Sequence, residues 1–241
     1  MNLKVLSSSS KGNCYLLQGS SSLIIEAGVS IKEVKKNMNF DLSNVSGCLV
    51  SHYHGDHSKY ANDYMKSGIN IFMTKETKKK MNINSHRIKT IESEKIFKLD
   101  DWKILPFKTQ HDCGGSIGFY ISHPDLGNLL FATDTYYLEY CFDNMNHILI
   151  ETNYAEDILQ KNIKAGSISE HLAKRTRISH FELENTKKWL LANDLSKVKN
   201  IVLIHLSDSN SDSRRFKKEI EELTFIRTEI ADKGLNIHLS P

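Results

Sequence analysis

Proline is nearly missing from this 241-residue chain, which has three in all. That excludes a proline-rich stalk. No run approaches the ~18–20 consecutive apolar residues of a membrane-spanning helix. The opening residues Met1 to Ser8 carry no long apolar core and no cleavage site, so no signal peptide is expected. Charge of one sign is scarce as well. Thirty-two basic residues stand against 29 acidic ones, a net +3, which is too mild to mark a nucleic-acid binder by bulk charge. None of the four cysteines, Cys14, Cys48, Cys113 and Cys141, forms a Cys-x-x-Cys pair. Zinc ribbons and thioredoxin-like motifs are thereby excluded. Scattered thiols in a chain of this length read as reduced, buried cysteines of a cytoplasmic protein.

What the sequence does have is enough apolar material for a core: 39% hydrophobic residues, plus 12 glycines, close to the ~45–50% of globular chains. Short β-branched runs recur at Leu3–Leu6, Cys14–Leu17, Leu23–Ile25, Cys48–Val50, Ile69–Met73, Ile104–Phe107, Ile117–Ile121, Leu129–Ala132, Ile148–Ile150, Ile201–Ile204 and Leu235–Leu239. Most are bounded by Gly, Ser, Asn or Asp, which is strand punctuation. Helical patterns lie between them at Ser30–Met38, Ser58–Lys66, Glu182–Ala192 and Ser213–Ile230. In the last, Phe216, Ile220, Leu223, Ile226 and Ile230 recur at three- to four-residue steps, one buried helix face. Asp212 or Ser213 is its expected N-cap. No linker, repeat or low-complexity tract divides the chain, so residues 1–241 are expected to form one α/β layered domain.

Histidine is the conspicuous excess, with 11 residues. Four ligand-type side chains fall within Ser51-His52-Tyr53-His54-Gly55-Asp56-His57, directly after an apolar run. If the strand continues, its period of two puts His52 and His54 on one side. A turn at Gly55 then lets Asp56 and His57 open a helix. Any one of these histidines alone would read as a polar loop residue. Together, at this spacing, they read as metal ligands rather than a nucleophilic triad. Partners are expected at other strand ends, where α/β folds gather functional residues. His111, Asp134 and His205 each follow such a run. Individually, Asp134 is equally a turn residue and His205 a strand-end histidine. Among the others, His86, His123 and His171 are expected on surface loops or helices, His147 ahead of a strand, and His238 within the last strand facing solvent. His180 precedes a helix and is a catalytic candidate outside the ligand set.

These residues resemble the metallo-β-lactamase superfamily, through His52-x-His54-x-Asp56-His57 with His111, Asp134 and His205. The resemblance covers nearly the whole chain and implies an αββα four-layer sandwich with metals at one edge of two packed sheets. Shorter motifs resemble the YycJ/WalJ-like nuclease branch and its phage-encoded relatives. They are Ser8 to Cys14, Leu23 to Gly28 with Glu26 where Asp is commoner, Ala132 to Thr135, Glu151-Thr152-Asn153, His180 to Asn185, and His205-Leu206-Ser207 with Asn210. By that resemblance His52, His54 and His111 hold one divalent ion, Asp56, His57 and His205 a second, and Asp134 bridges them. Such ligands suit Zn²⁺ or Mn²⁺, and iron also fits. Oxygen-reducing diiron members usually carry Glu where His54 stands, which argues against that class.

The implied activity is a dinuclear phosphodiesterase or nuclease cleaving DNA or RNA with a hydroxide held between the metals. Asp56 would orient the water and His180 would protonate the leaving alkoxide. Ser8, Ser10, Asn13, Asn153, Ser207 and Asn210 are candidate substrate contacts, although Ser9–Asn13 equally reads as a plain β-turn. The alternatives are a phosphodiesterase for small or cyclic nucleotides, thioester or lactam hydrolysis, and a non-catalytic metal-binding protein of the same fold. Basic clusters at Lys75/Lys78/Lys79/Lys80, Arg87/Lys89, Lys174/Arg175/Arg177 and Arg214/Arg215/Lys217/Lys218 would track a nucleic-acid backbone only if they ring the metal cleft. The expected partner is therefore a nucleic acid or nucleotide substrate, with no membrane association and no oligomeric state indicated.

Overall fold

The computed structural model describes residues 1–241. Its first sheet comprises β1 (Asn2–Ser9), β2 (Gly12–Gln18), β3 (Ser22–Ile25), β4 (Val45–Leu49), β5 (Ile71–Thr74), β6 (Ile88–Ile91) and, from the far end of the sequence, β14 (Asn236–His238). The order is β14-β1-β2-β3-β4-β5-β6. The second sheet contains β7 (Phe97–Leu99), β8 (Trp102–Lys108), β9 (Ile117–His123), β10 (Gly127–Ala132), β11 (His147–Glu151), β12 (Asn200–Ile204) and β13 (Thr228–Ile230). It is ordered β13-β12-β11-β10-β9-β8-β7. Each sheet is antiparallel in one half and parallel in the other.

Three apolar layers show how the sheets stack. The middle layer draws Leu3, Val5, Tyr15, Leu23 and Ile25 from the first sheet and Trp102, Ile104, Phe119, Phe131 and Val202 from the second, so the sheets face each other. Outside the first sheet, Cys14, Leu16, Ile24 and Cys48 pack on Val34 of α1 (Ile31–Asn37) and on Ala61, Tyr64 and Met65 of α3 (Ala61–Lys66). Outside the second, Leu130, Ile148, Ile150 and Leu203 pack on Leu183 and Leu190 of α7 (Leu183–Leu191) and Phe216 and Ile220 of α8 (Ser213–Thr224). Alternate strand residues thus serve the inner and outer layers, which gives helix, sheet, sheet, helix. The αββα expectation is met.

Four expectations need correction. The helix expected over Ser213–Ile230 stops at Thr224. Phe225 there takes the left-handed conformation at φ 56°, and the chain turns back to place Thr228–Ile230 in β13. The apolar spacing continued because Ile230 packs on the same outer core as Phe216 and Ile220. The helix expected over Ser58–Lys66 is two pieces, α2 (Gly55–Ser58) and α3, parted at Lys59 and Tyr60. His123, expected at the surface, is buried with its ring 4.4 Å from Trp102. Cys141 is exposed, whereas the other three thiols are buried as expected, and none is paired.

Three polar helices had no apolar pattern to reveal them: α4 (Lys75–Met81), α5 (Glu156–Lys164) and α6 (Glu170–Ser179). Asp212 caps α8, its Oδ1 accepting from the Arg215 amide at 3.0 Å. No helix is long and apolar enough to cross a membrane.

Candidate metal centre

The site forms where strands of both sheets stop. β4 ends at Leu49 rather than running on through His54. The next residues loop out, and Gly55 opens α2, which carries Asp56 and His57. Asp134 lies two residues beyond β10 and His205 one beyond β12. His111 follows β8. All seven expected ligand residues therefore meet at one sheet edge. Glycine makes the approach feasible. A Cβ at Gly28 would sit 1.7 Å from the Asp56 carbonyl oxygen and 2.5 Å from the Asn13 amide, so no larger residue lets β2 and α2 come this close. Glu26 (φ 70°), Asp134 (φ 44°) and His205 (φ 54°) hold left-handed backbone conformations, which non-glycine residues seldom adopt.

The imidazoles are oriented from behind. His52 Nδ1 lies 2.9 Å from Ser51 Oγ, and His111 Nδ1 donates to the Ser179 carbonyl at 2.8 Å. His205 Nδ1 donates to Glu151 Oε1 at 2.9 Å. His57 Nδ1 faces Glu26 Oε1 at 3.4 Å, and neither atom has a hydrogen bond. With Nδ1 spent on these partners, Nε2 of His52, His111 and His205 presents a lone pair to the centre.

The donors converge in two groups. His54 Nδ1 lies 3.0 Å from His52 Nε2 and 3.2 Å from His111 Nε2. A tetrahedral ion with ~2.0–2.1 Å bonds to nitrogen separates its ligands by roughly 3.3 Å, so three facing lone pairs fit a cation. In the second group Asp56 Oδ2 lies 3.1 Å from His57 Nε2 and 3.3 Å from His205 Nε2. Asp134 stands between the groups. Its Oδ2 is 3.8 Å from His52 Nε2 and 3.6 Å from His111 Nε2, while its Oδ1 is 3.3 Å from His57 Nε2.

Electrostatics agree with this arrangement. Burial, helped by His57, pushes the His52 imidazole well down, leaving it neutral. Burial alone would raise the Asp134 carboxyl, yet His205, His57 and His52 hold it well below the ordinary carboxylate range. Burial likewise opposes charge on His205, but Asp134, Asp56 and Glu151 outweigh it and lift the imidazole to about 10, so its Nε2 lone pair becomes available only as a cation displaces the second proton. A divalent cation would give these buried carboxylates the same compensation.

Three participants escaped the sequence reading. Cys113 brings its sulfur into the His52, His54 and His111 group, all donors lying within 4.8 Å of one another; without a second cysteine nearby in sequence it carried no signal. Asp112 sets Oδ1 3.2 Å from His111 Nε2 and takes Arg175 Nε on Oδ2 at 2.9 Å. Glu151 belongs to a short motif that by itself assigns it no role. It is fully buried. Its Oε1 accepts from His205 Nδ1 and, at 2.7 Å, from His180 Nδ1. Its Oε2 accepts the amides of Thr135 at 3.0 Å and Phe181 at 3.2 Å. One carboxylate thus orients both histidines. The His180 imidazole keeps its proton more readily than usual, because Glu151 outweighs burial.

A cavity of about 600 Å³ opens over the centre. His180 lines it, with four of the six expected substrate contacts, Ser10, Asn153, Ser207 and Asn210. Ser8 and Asn13 lie outside that lining. Ser8 Oγ accepts the His205 amide at 2.8 Å and meets the Tyr15 hydroxyl at 2.7 Å. Asn13 is buried, its Nδ2 3.2 Å from both Asp56 Oδ2 and His57 Nε2. These two hold the ligands from behind, so the turn contributes to the site through its structure.

Two mixed sheets packed face to face, with this nitrogen- and carboxylate-lined centre at one edge, make the metallo-β-lactamase fold. No family model matches the chain. Among curated proteins it is similar to exodeoxyribonuclease YycJ of Bacillus anthracis, 25% identical over 259 residues, spanning 98% of this chain and 92% of that protein. Among solved structures it is similar to the metallo-β-lactamase fold protein YhfI from Bacillus subtilis (TM-score 0.72, 13% identity, 98% of each chain). The short form of human tRNase Z superposes with TM-score 0.67 at 12% identity over 100% of each chain. A diphosphatase of the PhnP family gives TM-score 0.67 and 12% identity, over 99% of this chain and 98% of that one.

Proposed function

We propose that this chain is a metal-dependent phosphodiesterase acting on nucleic acid, an exonuclease in kind, working as one domain over residues 1–241. The observation that carries the reading is Asp134, whose two oxygens face two separate donor groups. His52, His54 and His111 would hold one divalent ion and Asp56, His57 and His205 the other, with Asp134 shared. Such a pair supplies an activated water near neutral pH and neutralises charge growing on the phosphoryl oxygens. The imidazole-rich donor set, with the Cys113 sulfur beside it, favours Zn²⁺; the carboxylates admit Mn²⁺, and iron fits the same ligands.

The chain's own groups complete the chemistry. Asp56 lines the cavity and commits Oδ2 to His57 and His205, leaving Oδ1 to orient the attacking water. His180, held at Nδ1 by Glu151, points its remaining edge to the leaving oxygen and delivers the proton. Ser10, Asn153, Ser207 and Asn210 offer hydrogen bonds to phosphate and sugar. Only Ile168, Leu172 and Leu206 are apolar in the lining, which disfavours the apolar pocket that thioester or lactam hydrolysis needs. The exodeoxyribonuclease and tRNase names among the relatives support a nucleic-acid substrate. Four unpaired thiols accord with residence in the cytoplasm. A second reading, hydrolysis of small or cyclic nucleotides, is favoured by the cavity volume, which lies within the ~300–1,000 Å³ of small-ligand sites.

The test is turnover of end-labelled single-stranded DNA, duplex DNA, RNA and a cyclic dinucleotide by protein loaded with Zn²⁺ or Mn²⁺. Stepwise shortening of a strand from one end, abolished by chelator, is expected. Hydrolysis of the cyclic dinucleotide alone would transfer the assignment to the second reading. Glu151→Gln probes the support behind the ligands. An amide cannot accept both imidazole N–H groups and both backbone amides, so one set loses its acceptor. Metal affinity should fall about 10–100-fold, read by competition with a chromophoric chelator. Unchanged affinity would show that Glu151 does not position His205.

A further inference from the structure

Two cavities meet at His111. One is the space over the metal centre. The other, about 780 Å³, crosses the His111–Ser116 loop and reaches Thr74, Lys75, Thr90 and Lys108. Its far wall is the start of α4, which is fixed to both ligand loops. Thr74 Oγ1 caps the helix by accepting the Thr77 amide at 3.2 Å and donates to the Gly115 carbonyl at 3.0 Å. Gly115 (φ +82°) is pressed so close that a Cβ there would sit 2.6 Å from Glu76 Cβ. At the other end Lys80 Nζ lies 5.9 Å from the ring centre of Tyr53, between His52 and His54.

On α6 and α8 most of the basic side chains are paired, whereas Arg87, Lys89, Lys174 and Arg214 are, like those of α4, without a carboxylate partner. Arg175 is tied to Asp112, and Arg177 to Glu156. Arg215 is tied to Asp157 and Glu219, Lys217 to Glu229, and Lys218 to Glu222. No carboxylate lies within ion-pair distance of Lys75, Lys78, Lys79, Lys80 or Lys108. Of the acids on the cavity wall, Glu92 is taken by Lys95, which leaves Glu76 beside the unpaired Lys75 and Lys108, with Lys78, Lys79 and Lys80 further along the helix. Lys75, Lys78 and Lys79 share one helix face by their spacing. Unpaired cations on a solvated face are what phosphates recruit, because each contact releases condensed counterions.

We propose that α4 is the strand-binding track of the enzyme. One nucleic-acid strand leaves the metal centre across the His111–Ser116 loop, and Lys75, Lys78, Lys79, Lys80 and Lys108 neutralise its successive phosphates. The proposal rests on the nuclease reading above and adds where the substrate lies beyond the cleaved bond.

The experiment compares the metal-loaded parent with Lys75→Gln/Lys79→Gln/Lys108→Gln. The probe is a fluorescein-labelled 20-nucleotide single-stranded DNA with phosphorothioate linkages, followed by anisotropy from 50 to 200 mM salt. Hydrolysis of bis(p-nitrophenyl) phosphate reports the metal centre separately. Removing three contacts should flatten the slope of log affinity against log salt by about 2, at ~0.7 per phosphate on a single strand. Binding at low salt should weaken at least ~10-fold, with hydrolysis of the small diester unchanged. An unaltered slope, or an equal loss in Arg214→Gln/Lys218→Gln on α8, would overturn the track while leaving the nuclease reading intact. Failure of the parent itself to bind or cut any strand, with the small diester still turned over, would overturn both.

Discussion

Asp134→Ala is expected to lower kcat/KM for strand cleavage by about three orders of magnitude or more and to cost the protein at least one of its bound ions. The carboxylate is almost fully buried and is the only group facing both donor sets. Its removal takes the negative charge that lies between His52, His57, His111 and His205, so a cation in either donor group loses both a ligand and its charge neutralisation. Groups that act as a unit lose most of their effect when one member goes. Asp134→Asn is the companion variant. Asparagine tolerates the left-handed backbone found here at φ 44° and keeps one oxygen, so it separates loss of charge from backbone strain. Elemental analysis of bound metal and steady-state turnover decide the outcome. Full turnover in either variant would remove the shared carboxylate from the mechanism.

His180→Ala should slow strand cleavage about 10²–10⁴-fold, the range for a positioned proton donor, while bound metal stays near that of the parent. The residue lines the cavity and its Nδ1 is committed to Glu151, so its remaining nitrogen is available to a leaving alkoxide. The decisive readout is the leaving group. An alkoxide needs the proton; p-nitrophenolate leaves without it. Hydrolysis of bis(p-nitrophenyl) phosphate should therefore fall far less than hydrolysis of DNA. Equal losses on both substrates would make His180 a structural prop for Glu151, and loss of metal would make it a ligand.

The convergence of the candidate metal ligands was largely legible because its parts announce themselves locally. Apolar runs ending in His111, Asp134 and His205 put chemistry at strand ends, and the His52–His57 stretch concentrates donors within one loop. The layered fold was legible for the same reason, since alternate burial leaves a mark in every strand. What the sequence hid was contact between distant segments. Glu151 looks like the last residue of an apolar strand until β11 is set beside the loop carrying His180. Asp112 gains meaning only when α6 brings Arg175 over it. The surface expectation for His123 failed because Trp102, 21 positions earlier, folds against its ring. Helices α4, α5 and α6 stayed hidden because each buries few residues and little periodic pattern results. The long helix drawn to Ile230 shows the converse error: apolar spacing records burial in a shared core, and a turn at Phe225 can keep that spacing while changing the element.

Glu26, Asp134 and His205 stand where the backbone curls left-handed, each at a cost of about 1–3 kcal/mol. Glycine would relieve that cost at all three positions and would dismantle the centre. Durability and turnover therefore pull this chain in opposite directions. Variants selected only for heat tolerance should drift toward inert scaffolds, and copies released from selection for cleavage should lose these residues before they lose the sheets.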